Sequence, residues 1–92
     1  MPQAPIINMN GTNAQDLMDQ NTDVVASLRE ARQKMREAAP HGRDFQTDPD
    51  KYKVARLQYE GRMAQLDGLI ESYHQIAVRI YKQKSYIEGR QM

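Results

Sequence analysis

Two stretches of this chain carry apolar residues at alternating steps of four and three, and that spacing limits the fold more than any other feature. Leu17, Asn21, Val24, Leu28, Ala31, Met35 and Ala38 follow it in the first stretch. Tyr59, Met63, Leu66, Ile70, Tyr73, Ala77 and Ile80 follow it in the second. Residues so spaced share one face of an α-helix, and a run kept up over several heptads reads as the seam between two helices. No segment shows the period of two that a half-buried strand requires. The expected fold class is all-α: an antiparallel, coiled-coil-like two-helix hairpin with an extended N-terminal arm.

Local signals set the boundaries. Residues 1–11 hold Pro2 and Pro5 and no charged side chain, so the arm is expected to be extended or disordered unless a partner holds it. The hairpin is expected over 12–88. Thr12 and Gln15 have capping-box spacing and open helix 1, which should end near 39 because Pro40 and Gly42 both stop it. After a loop over 40–48, Asp48 supplies an N-cap, Pro49 the first helical position and Asp50 a negative charge where the helix dipole favours one. Helix 2 is expected from 49 to about 87, with a short tail over 89–92 after Gly89. The run Ile87–Arg90 has the form of a protease-recognition tag, whereas Ile87 also continues the seam from Ile80 by seven; both readings stay open.

Size makes the hairpin dependent on something else. A chain of 92 residues buries a modest fraction of its surface, and two helices cannot enclose a core of their own. The absence of cysteine removes disulfides and thiolate chemistry. Thirteen basic and twelve acidic residues are interspersed, leaving a net charge of +1 and no field that would draw nucleic acid or an anionic membrane. Neither a membrane span nor a secretory signal peptide is expected from the hydropathy of the chain.

Helix 2 contains two glycines, each costing a helix interior roughly 0.8–1 kcal/mol relative to alanine. At about 100° per residue, Gly61, Ala64, Gly68 and Ser72 fall opposite the seam, with Val54 and Leu57 in line at the N-terminal end. This is either a groove of small residues that another helix approaches closely, offsetting the cost, or a weakly specified solvent face. Leu69 and Ile76 flank the seam and make the apolar face from Leu66 to Ile80 broader than one partner helix covers. A homodimeric four-helix bundle needs only that broad face. Contacts on opposite sides of one helix suit a heterologous assembly, whose repetition gives a filament when the rotation does not close.

Asp48–Pro49 before helix 2, Gln58–Tyr59 within it and Glu71–Ser72 further along give the second half of the chain a resemblance to the small needle-forming and inner-rod proteins of type III secretion systems. Members of those families are single helical hairpins. The resemblance implies a C-terminal helix lining a helical tube, an N-terminal arm packed towards the outside and acting as an unfolded export signal, and other secretion-apparatus subunits as partners. It also implies a secreted or cell-surface location; without it the chain would be expected in the cytoplasm.

Catalysis is not expected, and neither a cofactor nor a metal. Glu71 and His74 form half of a di-iron signature, but Glu71 points away from the seam, and His41 sits in a turn without a second ligand at useful spacing. Arg29, Arg32, Lys34 and Arg36 crowd the end of helix 1, and Arg79, Lys82 and Lys84 the end of helix 2, where helix dipoles favour cations. In an antiparallel hairpin the clusters lie at opposite ends and do not merge into a nucleic-acid stripe. Asp16, Asp19 and Asp23 fall near the basic end of helix 2, in keeping with that register. Asn21 either fixes register in the seam or lies at a fraying end. Tyr52, Tyr59, Tyr73 and Tyr81 are expected as core and interface anchors.

The function expected from the residues and the resemblance is a self-assembling structural subunit, needle-like or rod-like, of a secretion apparatus. Two other classes remain: a small helical chaperone or adaptor that takes an amphipathic helix on the broad apolar face, and a phage virion or connector subunit.

Overall fold

A computed structural model describes residues 2–7 and 13–91, with residues 88–91 as backbone alone. Helix α1 spans Ala14–Glu37 and helix α2 spans Pro49–Gln91; a 3-10 turn at Gly42–Phe45 lies between them. The two helices pack along each other as an all-α hairpin, and among the described residues there is no strand. At 1.5 Å per residue α2 alone is roughly 65 Å long, nearly twice α1, so the hairpin is a rod.

Each helix end has an identifiable stop or start. Asn13 caps α1, its side-chain Oδ1 accepting a hydrogen bond from the Gln15 amide at 2.7 Å. The cap is thus one residue later than the Thr12 the spacing favours, and Thr12 itself lies outside the described residues. Gln15 donates its side-chain amide to Asp19 Oδ1, 2.9 Å away. At the turn, the Asp44 amide donates to the His41 carbonyl and Phe45 stacks at a tilt on Tyr52, ring centroids 5.8 Å apart. Asp48 then caps α2, with Oδ1 accepting from the Lys51 amide at 3.2 Å, and Pro49 is the first helical residue. At the far end α2 continues through Gly89 to Gln91, where the sequence suggested a tail. One glycine near the end of a long cooperative helix is too small a penalty to stop it.

The seam on α2 is continuous. Met63 and Leu66 are buried, Tyr59, Ile70, Tyr73 and Ala77 are half-buried, and Ile80 is completely out of solvent. On α1, Leu17, Val24, Leu28 and Met35 are half-buried and Val25 is buried beside Val24. Beyond Leu28 the contact face passes to Arg32, Met35 and Ala39, leaving Ala31 and Ala38 exposed. A straight α-helix drifts by about 20° per heptad against a strict seven-residue repeat, and that drift moves the seam by one position. Asn21 is half-buried and donates its side-chain amide to the Leu17 carbonyl of its own helix at 2.9 Å.

The thin seam carries most of the hairpin's stability. Leu66→Ala should lower unfolding free energy by about 2–4 kcal/mol, whereas Leu57→Ala, on the opposite side, should change it by no more than about 0.5 kcal/mol. Urea titration followed by circular dichroism measures both. Equal losses at the two positions would contradict the assignment of faces.

Candidate functional site: the outer face of the second helix

Opposite the seam, α2 presents a face that the hairpin does not use. Val54 and Leu57 are 53% and 68% exposed, Gly61, Ala64 and Gly68 are exposed, and Ser72 is half-buried. A Cβ built on Gly61 or Gly68 would meet nothing within 4 Å. Both glycines are ordinary helical positions, with no positive φ. Among the described residues, therefore, nothing packs against them to offset their helix-propensity cost of roughly 0.8–1 kcal/mol each. Leu69, at the margin between this face and the seam, is 50% exposed, and Ile76 is half-buried.

Towards the C-terminal end the same face is occupied, by the chain's own N-terminal arm. Residues 2–7 run without regular secondary structure and dock on Arg79 and Gln83. The Gln83 carboxamide makes two backbone contacts: Oε1 accepts from the Ile7 amide at 3.0 Å and Nε2 donates to the Pro5 carbonyl at 2.9 Å. Arg79 Nη1 donates to the Pro2 carbonyl at 3.2 Å. Gln83 thereby pairs with residues 5 and 7 much as a neighbouring strand would pair with an extended segment. Ala4 is buried at 6% exposure, while Ile6 stands 80% exposed. At this end of α2, Ile80 of the seam is completely out of solvent, whereas Met63 and Leu66 keep 9% of their surface.

The residues behind the secretion-system resemblance fall at three places. Asp48 and Pro49 start α2; Gln58 is exposed beside half-buried Tyr59; Glu71 is exposed beside half-buried Ser72. Arg56 lies over the Tyr59 ring, 5.3 Å from its centroid, and approaches Glu60 at 3.6 Å. Tyr52 and Tyr73 are half-buried, whereas Tyr81 is 57% exposed and anchors nothing within the hairpin core. Glu71 accepts a hydrogen bond from Gln75 at 3.0 Å, and His74 is exposed one turn along. Among the described residues no three metal-ligating side chains gather, and no helix is long and apolar enough to cross a membrane.

Charge reinforces the hairpin in two places. Lys84 Nζ donates to Gln15 Oε1 at 3.3 Å, tying the start of α1 to the end of α2. Near the middle, Arg32 forks onto Asp67, Nε to Oδ1 at 2.7 Å and Nη2 to Oδ2 at 3.4 Å. The hydrogen bond from Arg32 holds the Asp67 carboxyl below its ordinary pKa, with the charges of Arg32 and Arg36 adding to the effect and partial desolvation opposing it. The same hydrogen bond raises the Arg32 guanidinium. The two side chains are 30% and 51% exposed, so solvent screens the pair and its contribution is small.

No family model, curated protein or solved structure matches this chain.

The Arg32–Asp67 pair gives a pH signature with a definite sign. A carboxylate whose pKa is lower folded than unfolded stabilises the fold above the unfolded value, about 4, and loses that contribution as the pH falls through the lower, folded value. The stability difference between the wild type and Asp67→Asn should therefore be largest near neutral pH and close on acidification below about 4. Urea melts across that range measure it. A difference that does not change with pH would show that the pair adds nothing.

Proposed function

We propose that this protein is a structural subunit that assembles with copies of itself into a needle-like or rod-like filament of a secretion apparatus. The observation that carries the reading is the pair of open glycines, Gly61 and Gly68, on a face that also exposes Val54 and Leu57 and lies opposite a seam already closed by α1. Two exposed helix-interior glycines weaken the monomer and return nothing to it. Against a second helix they return close backbone approach and the packing that comes with it. Because the outer face and the seam lie on opposite sides of α2, a neighbour docked there leaves the hairpin intact and free to repeat the contact, which is how heterologous contacts build helical filaments. The secretion assignment is supported by the resemblance carried by Asp48–Pro49, Gln58–Tyr59 and Glu71–Ser72. It entails an exported or cell-surface subunit whose partners are proteins and which needs no cofactor.

Negative-stain electron microscopy with light scattering over a concentration series tests the assembly directly, and Gly68→Leu tests the face. Regular filaments are expected from the wild type. The substitution should raise monomer stability by about 0.5–1 kcal/mol, since leucine is a far better helix former than glycine, and should abolish the filaments. A monomer or closed oligomer at every concentration would refute self-assembly, and a defined one-to-one complex with another protein would put a chaperone or adaptor in its place.

A further inference from the structure

The N-terminal arm and the place where it docks have a property that the outer glycine face lacks: a complementary occupant is already visible. Among the described residues, hydrogen bonds to its backbone anchor it: Arg79 and Gln83, one turn apart on α2, donate to the Pro2 and Pro5 carbonyls, and the Ile7 amide donates to Gln83 Oε1. Pro2 and Pro5 each fix their own φ, so part of the ordering entropy of an extended segment is already removed from the arm. Any second copy of the chain offers the same six residues to the same two side chains. The contacts would be identical, and only the covalent connection differs.

The position of the site along α2 adds a second argument. At about 100° per residue, Arg79 and Gln83 lie within roughly 40° of Gly61 and Ser72, so the arm covers the C-terminal continuation of the outer face. A neighbour packed on the glycines would thus lie alongside the docking site. Five residues, 8–12, join the described arm to Asn13 at the start of α1, and a segment of that length reaches at most roughly 20 Å. That reach restricts exchange to immediate neighbours.

We propose that the arm is exchanged between copies: it closes on Arg79 and Gln83 of its own chain in the dilute monomer, and docks on the same residues of an adjacent copy in the assembly. This builds on the assembly reading in taking a second copy as the occupant. Since the contacts are the same in both states, the balance is set by concentration. A short connection gives the chain's own arm an effective concentration in the millimolar range. Dissolved copies at micromolar concentration cannot compete with that, whereas packed neighbours can. Such exchange of an identical element is a low-cost route to linking protomers.

The chain has no cysteine, so introduced thiols report without background. Gln3 and Lys82 are exposed and line the same shallow depression beside the docked arm. Full-length Gln3→Cys and Lys82→Cys chains are mixed and treated with a short bis-maleimide, and the doubly substituted chain is treated in parallel. At ~10 µM the double variant should link almost wholly within one chain. Between ~10 µM and ~1 mM the linked mixed dimer should rise at least about tenfold. Adding Gln83→Leu, which removes the amide pairing without touching the seam, should cut both products several-fold while helicity stays unchanged. Links confined to single chains at every concentration, or mixed-dimer yields insensitive to Gln83→Leu, would overturn the proposal. Electron microscopy on the same samples separates this outcome from that of the assembly reading. Filaments with only intrachain links reject exchange and leave assembly standing; interchain links without filaments do the reverse.

Discussion

Everything in this structure depends on a single narrow seam between two helices. Val25 from α1 and Met63, Leu66 and Ile80 from α2 supply the buried apolar side chains of the hairpin, with Ala4 of the arm as an outlying addition. A core this thin leaves little surplus over the entropy of ordering the chain. The accessory devices follow from that shortage. Both helices begin on a side-chain cap, Phe45 and Tyr52 brace the turn, Arg32 and Asp67 cross-link the middle, and the arm docks on Gln83 near the far end. Each is small alone, and together they keep two helices in one register.

The seam occupies one side of α2 and leaves the other to a different use. Where a helix has only water on its outer face, alanine or a long polar residue suits that face better than glycine. Here two glycines, an alanine and two large aliphatic side chains share it. Such a surface costs the monomer stability in isolation and makes sense as half of a contact. The arm lies on the C-terminal continuation of the same face, where Arg79 and Gln83 hold its backbone.

Much of this was legible in the sequence, because the hairpin is written in side-chain period. The four-three spacing identified Met63, Leu66 and Ile80 without a structure, and Asp48–Pro49 marked the start of α2 by backbone chemistry. Smaller features were less legible for particular reasons. The seam on α1 slides from Ala31 to Arg32 because the helix keeps its 3.6-residue turn. Asn13 competes with Thr12 as a cap of nearly equal quality, and α2 runs past Gly89 because cooperativity outweighs one poor residue. The docking of the arm was not legible at all. Gln83 recognises backbone atoms, so the arm needs no side-chain pattern, and a lone glutamine on a polar helix gives no signal.

The central claim is that the outer face of α2 is open in the monomer and covered by another copy in the assembly. The most direct test is the solvent access of one position on it. Ala64 is exposed and lies between the two glycines, and in a chain without cysteine an Ala64→Cys thiol can be followed alone. Its maleimide reactivity should be that of a free thiol in dilute solution and should fall in step with the growth in mass measured by light scattering. Association that leaves the thiol fully reactive would mean that the copies meet elsewhere, and the outer face would then have no part in assembly.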